Sequence, residues 1–386
     1  MNFLHSPVVG EPFERDQHSL RVIEYPVVDE FETSPSQRAR INGAVEELTA
    51  LGYLGNTSIA DAIARKRTNS SVNYNNPATV KLIEDIAGVK NWLDLVPTAR
   101  ALTNLYSPNA TELPNGHIVG DELRIWFTEL ADGRGLRFRG QMVTDIIAKE
   151  GLRVIGKVEE FRVASLASGV AQQVIDASRI INENTSQFPN LTLVDADSTA
   201  LADATRNALQ IMPSQNFRTE RMNVLQRQGL VVPLSLGAKA VAGITEQIGG
   251  QSFSKERLEK NSYDVVEVVG LLEYLQEEDW GYSYGDVIKL RQKHAGAVTL
   301  LKNAYELVAP GGLLLVGNML DTHPQLGFTL NTIQWPHIQP RSILQMQDIF
   351  SEAGMNNSQI TVYVPDDEAA RVYALYGIRK PEIGQG

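Results

Sequence analysis

From about residue 160 the chain alternates short apolar runs with longer segments in which apolar side chains recur every three or four positions. The runs are FRVASLA, LTLVDA, NFRTERM, YDVVEVVG and GLLLVGN. Continuous apolar runs separated by helical spacing predict parallel strands buried on both faces, hence a doubly wound α/β sheet covered by helices. Two final runs, SQITVYVP and RVYALYGIRK, are joined only by Asp366-Asp367-Glu368-Ala369-Ala370. A link that short cannot cross over a sheet, so this pair is expected to be an antiparallel hairpin. Up to about residue 155 the pattern is instead mainly helical. Ser34-Pro35 reads as an N-cap followed by proline at the first helical position, and Ile41, Ala44, Val45 and Leu48 form one apolar stripe. Further helices are expected around 57–66, 77–88, 90–105 and 119–131, with a strand or hairpin in the first 30 residues.

At 386 residues the chain suits two domains. They are a mainly helical one at 1–155, serving as lid, substrate wall or dimerisation element, and the sheet domain at 156–386. The formal charge of −11 repels a phosphate backbone, so nucleic acid is not the expected partner; a small molecule is, with a homodimer as a further expectation. No run approaches the roughly 20 apolar residues of a membrane span. The start, MNFLHSPVVGEPFERD, lacks the pattern of a signal peptide, which makes the cytoplasm the expected location. There are no cysteines, so disulfides and thiolate chemistry are absent. No histidine–carboxylate cluster has metal-ligand spacing, and no metal is implied.

The chemistry is expected where the first strand of the sheet ends. FRVASLASGVAQQVIDASRI breaks at Gly169 and resumes with helical spacing. An open parallel sheet binds ligands beyond the carboxyl ends of its strands, and the turn there needs a residue that lets backbone approach the ligand. The next strand ends in Asp195, an acid able to accept both hydroxyls of a ribose, with Asp197 two residues on.

The segment from about 160 to 380 resembles the class I S-adenosylmethionine-dependent methyltransferases. VASLASGVA, residues 163–171, lies along their first motif, with Gly169 kept, Ala167 and Ala171 in place of two glycines and Ser165 in place of the usual acid. Those alanines fit if their φ angles are negative. YDVVEVVGLLEYL resembles the family's fourth-strand segment, and AYELVAPGGLLLVGNM its helix, Pro-Gly-Gly turn and fifth strand. GLLEYL, residues 270–275, also resembles a bacterial group with a Gly-Leu-x-x-Tyr-Leu signature.

The resemblance implies a Rossmann-like sheet and S-adenosylmethionine as cofactor, held by Ala167, Ser168, Gly169, Asp195, Asn223, Gly270 and Leu271. An Asn-Pro-Pro-Tyr motif is missing after the fourth strand, which favours oxygen or carbon acceptors, including a carboxylate or lipid-like acid. His323, His337 and Tyr274 are candidate bases, and Trp335, Arg137 and Arg139, with Arg134 beside them, are candidate substrate contacts. The alternative to substrate contact for the arginines is a solvated turn before the helix GQMVTDIIAKE. Two other readings stay open. One is a binding or scaffold protein that kept the fold without the reaction; the other is an NAD(P)-dependent oxidoreductase, whose Gly-x-Gly-x-x-Gly turn is only partly present.

Overall fold

The apolar runs form strands of one nine-stranded sheet in a computed structural model that describes residues 13–17, 20–31, 34–53, 72–96, 98–158, 160–225, 258–278, 280–282 and 292–382. An N-terminal hairpin supplies β1 (Phe13–Gln17) and β2 (Leu20–Tyr25). The sheet continues with β3 (Arg162–Leu166), β4 (Asn190–Asp195), β5 (Phe217–Arg221) and β6 (Tyr263–Val268). A separate two-stranded ribbon, β7 (Trp280–Tyr282) with β8 (Gln292–His294), precedes β9 (Val308–Met319), β10 (Ile360–Pro365) and β11 (Tyr373–Arg379).

The strand order is β1-β2-β10-β11-β9-β6-β3-β4-β5. The pairs β3–β4, β4–β5, β3–β6 and β6–β9 are parallel, while β11 runs antiparallel to both β9 and β10. The chain thus steps outward in one direction from β3 through β4 to β5, then returns to lay β6 and β9 on the other side of β3. That reversal opens a crevice beyond the carboxyl ends of β3 and β6. Because β2 pairs in parallel with β10, residues from both ends of the chain share this sheet.

Helices cover both faces, as strands apolar on both sides require. On one face α9 (Ala297–Leu307) and α10 (Ile343–Glu352) pack Leu300, Leu301, Met346 and Phe350 against Val266, Leu314 and Tyr376. On the other, α6 (Ala131–Val154), α7 (Gln172–Thr185) and α8 (Ser198–Leu209) pack Ile147, Ile175 and Ala204 against Val163, Leu193 and Leu315. A third core joins the N-terminal helices α1 (Pro35–Gly52), α2 (Pro77–Asp85), α3 (Val89–Leu93), α4 (Ala99–Tyr106) and α5 (Asp121–Glu129) to the connection after β9. Ser34 caps α1 in a reciprocal capping box with Gln37 and Pro35 opens the helix, as its sequence predicts. The single helix expected at 90–105 is two helices, α3 and α4. The one expected at 57–66 lies outside the described residues.

The polar turn expected at DGRGLRFRG is instead buried helix, the first part of α6. Gly133 and Gly135 look like turn formers but serve contact: a Cβ at Gly135 would meet Val372 Cβ at 2.5 Å, and one at Gly133 would meet the Phe127 carbonyl oxygen. The long connection after β9 contains helical structure as well. It carries a short helical turn, Leu326–Phe328, that continues as a π-helical turn, Thr329–Ile333, and both are buried. Among the described residues no helix is long and apolar enough to cross a membrane.

Candidate functional site

The turn after β3 is left-handed at three places, Ala167 (φ 56°), Gly169 (φ 53°) and Ala171 (φ 57°). The negative φ at which the two alanines would fit without cost is not what they adopt; each carries a left-handed penalty of about 1 kcal/mol or more. What holds the turn is a strap of hydrogen bonds. Ser168 N–H donates to the Val194 carbonyl at 2.9 Å and Gly169 N–H donates to Asp195 Oδ2 at 2.8 Å. Asp195 Oδ1 accepts the Asp197 amide at 2.8 Å, and Asp197 caps α8 through Thr199 N–H. Asp195, half-buried at the end of β4, thus ties two crevice loops together and keeps a lone pair on each oxygen for a ligand. A Cβ at Gly169 would find nothing within 4 Å, so the turn faces open space, and the neighbouring Ser168 Oγ is buried without a partner. Asn223 follows β5, where its Oδ1 accepts the Leu225 amide at 3.0 Å.

An acid is missing from β3 at Ser165, yet a carboxyl occupies the same neighbourhood. Glu267 on β6 stands opposite Ser165 in the strand register and accepts its hydroxyl proton at Oε2, while Oε1 accepts the Val269 amide at 2.8 Å. Burial pushes this carboxyl up to about 7, against the pull of the Ser165 hydroxyl, the Val269 amide and Arg139. The signal was present as an acid flanked on both sides by valine pairs inside the run YDVVEVVG. Gly270 follows at φ 91°, and a Cβ there would lie 3.5 Å from the Arg139 guanidinium. Leu271 is half-buried against the sheet core. Arg139 reaches the crevice from α6: it donates to Tyr106 Oη at 2.6 Å, pairs with Glu273 at 3.4 Å and lies over the Tyr373 ring.

Beside Gly270, the segment after β6 turns toward a cavity between sheet and N-terminal helices. The cavity measures about 20 Å³ and is lined by Trp92, Leu105, Asp132, Tyr274, Met319 and Trp335, among others. Trp335 Nε1 donates to Tyr274 Oη at 2.9 Å, so two of the expected substrate-site residues meet here. Burial raises the Tyr274 phenol above its usual range, which removes it as a base near neutral pH. His323 is buried. Its Nδ1 accepts the Gln325 amide at 3.0 Å, which assigns the neutral ring's proton to Nε2, facing Asp132 Oδ1 at 3.2 Å. Thr329 Oγ1 donates to the other oxygen, Oδ2, at 2.6 Å. Asp132, which sequence reasoning missed because its helix reads as a turn, faces the cavity; His323 stands behind it.

The remaining candidates lie elsewhere. Arg137 is bound bidentately to Asp29 at 2.6 and 3.0 Å and donates to the Leu105, Phe127 and Thr128 carbonyls. Arg134 pairs with Asp367. Both are buried clamps between α6 and its neighbours and line no part of the cavity. His337 is half-buried at φ 61° and is also absent from the lining. Among the described residues no group of three or more histidines and carboxylates could hold a metal ion.

No family profile and no curated relative matches this chain. Among solved structures it is similar to a possible exported protein from Bordetella parapertussis, with 16% identity, 91% of this chain and 100% of that one covered, and a TM-score of 0.51. An O-methyltransferase family protein from Burkholderia thailandensis gives 12% identity over 91% and 99% of the two chains, TM-score 0.41. The S-adenosylmethionine-dependent methyltransferase SibL gives 13% identity over 90% and 96%, TM-score 0.43. At such identities the likeness is one of fold alone.

Proposed function

We propose that the chain binds S-adenosylmethionine in the crevice and transfers its methyl group to a small molecule held in the adjoining cavity. The observation that carries this is the sheet itself: parallel strands reversing at β3 and β6, closed by an antiparallel β11 inserted between β9 and β10. The crevice fits the cofactor. Open space beside Gly169, the unpartnered Ser168 Oγ and the spare lone pairs of Asp195 suit a nucleoside with a polar tail. Ala167, Ser168, Gly169 and Asp195 would hold it from one side, Asn223, Gly270 and Leu271 from the other.

The bound group supplies an electrophilic methyl on a sulfonium, so this chain's contribution is positioning and exclusion of water. Trp92 of α3, Leu102 and Leu105 of α4 and Leu136 of α6 wall the cavity, the use proposed for the N-terminal part of the chain. Asp132 is the charged side chain in the lining, which argues against an anionic acceptor and in favour of a neutral one.

Calorimetric titration with S-adenosylhomocysteine, with NADH in parallel, tests the reading. Micromolar binding of the first is expected, weakened about tenfold or more in Asp195→Asn, which keeps the carboxylate's size and loses its charge. Binding of NADH instead would move the chain to the oxidoreductases, and binding of neither would leave a scaffold.

A further inference from the structure

The cavity joins a largely apolar wall, aliphatic and aromatic, to one buried carboxylate, and no basic side chain is in the lining. Asp132 Oδ1 meets His323 Nε2 and Oδ2 accepts Thr329 Oγ1. A carboxylate oxygen accommodates about two donors, so each has one position left. The two protein donors also fix the group. Thr329 opens the π-helical turn, His323 is pinned through its other nitrogen by the Gln325 amide, and the carboxylate is left presented to the cavity. Such a group costs free energy while buried short of donors, and a ligand that brings one offsets the cost.

We propose that Asp132 is the acceptor-recognising group of this cavity, that His323 and Thr329 are its positioning residues, and that the acceptor carries a hydroxyl or amine on an apolar ring. The proposal rests on the methyl-transfer reading for its reaction but not for its binding site. In the transfer a lone pair of the acceptor hydroxyl would form the new O–C bond as the methyl's C–S bond breaks with its electron pair left on sulfur, giving a neutral thioether; the O–H pair then stays on oxygen and the proton passes to an Asp132 oxygen. A carboxylate ligand would instead place two like charges together in a site of low dielectric. At about 20 Å³ the cavity admits about one water. A ring therefore enters only by displacing part of the wall.

The test uses phenol, benzylamine and benzoate as probes on the full chain, with affinities read by ligand-observed saturation-transfer NMR. Phenol and benzylamine are expected to bind about tenfold or more tighter than benzoate, a ranking that needs no variant. Asp132→Asn should erase it, weakening both donors and admitting benzoate. His323→Gln, whose amide can still donate to Asp132, should keep the ranking, whereas His323→Leu should blur it; a merely structural histidine would give equal losses for all three probes. Benzoate binding as tightly as phenol in the wild type, an unchanged ranking in Asp132→Asn, or no binding of any probe would overturn the proposal. S-adenosylhomocysteine titrated into the same samples separates the two readings, since its failure defeats the cofactor and leaves the probe ranking standing.

Discussion

Ala167, Gly169 and Ala171 share one backbone conformation, but only the glycine adopts it without strain. Replacing Ala167 by glycine relieves about 1 to 2 kcal/mol of left-handed strain and returns part of it as unfolded-chain entropy. A net gain of about 0.5 kcal/mol is expected, read as a higher urea midpoint at unchanged slope. At Ala171 the same change should be close to neutral, because that methyl is buried in the core. Gly169→Ala should cost about 1 kcal/mol although a Cβ has room, since the backbone and not the space is the constraint. Glu267 gives a pH dependence of defined sign. Its carboxyl titrates near 7 when folded and near 4.5 when unfolded, so between these values the folded chain holds a proton that the unfolded chain has released. Stability contributed by this group therefore falls as pH rises through that window. Glu267→Gln should flatten the fall, gaining on the order of 2 kcal/mol at pH 8 and nothing near pH 4, in denaturant melts at several pH values.

At the scale of elements, strands were readable because burial on both faces leaves continuous apolar runs, and α1 was readable because its cap, proline and stripe agree. The start of α6 was not, because a glycine's two uses look alike in a sequence: freedom to turn, and lack of a side chain where helices touch. Gly43 and Gly135 separate them. Gly43 is exposed in the middle of α1 with nothing within 4 Å of a Cβ, so Gly43→Ala should stabilise by about 0.5 to 1 kcal/mol. Gly135 lies against the Cβ of Val372, an atom that no rotamer change can move, so Gly135→Ala must push α6 from β11 and should cost about 2 kcal/mol. Thermal melts of the two variants should move in opposite directions. The same ambiguity hid Asp132, since a carboxylate read into a solvated turn suggests no site. His323 was visible as a residue type, but its role was not, because the carboxylate its Nε2 faces, that of Asp132, comes from 191 residues away in the chain.

At the scale of the whole molecule, the change of pattern near residue 155 suggests two domains, whereas the packing links them at three levels. β2 completes the sheet edge beside β10, α6 covers one sheet face, and Met319 and Tyr373 of the sheet strands sit in the core formed by the N-terminal helices. Buried polar ties cross as well: Gln334 donates to Thr79 Oγ1 at 2.7 Å, and Thr79 Oγ1 donates to the Thr332 carbonyl at 2.8 Å. Cores shared in this way unfold together, because exposing either part strips apolar surface from the other. The full chain should therefore melt in one transition by both circular dichroism and tryptophan fluorescence. A chain cut to residues 156–386 would leave the faces under α6 and the edge beside β10 uncovered, and it should bind hydrophobic dyes and lack a cooperative melt. A truncated chain that melted cooperatively would instead show that the sheet stands alone and the helices are an added cap. The distinction bears on the proposed acceptor site, since the cavity walls come from both parts and a site so divided is assembled only when the whole chain folds.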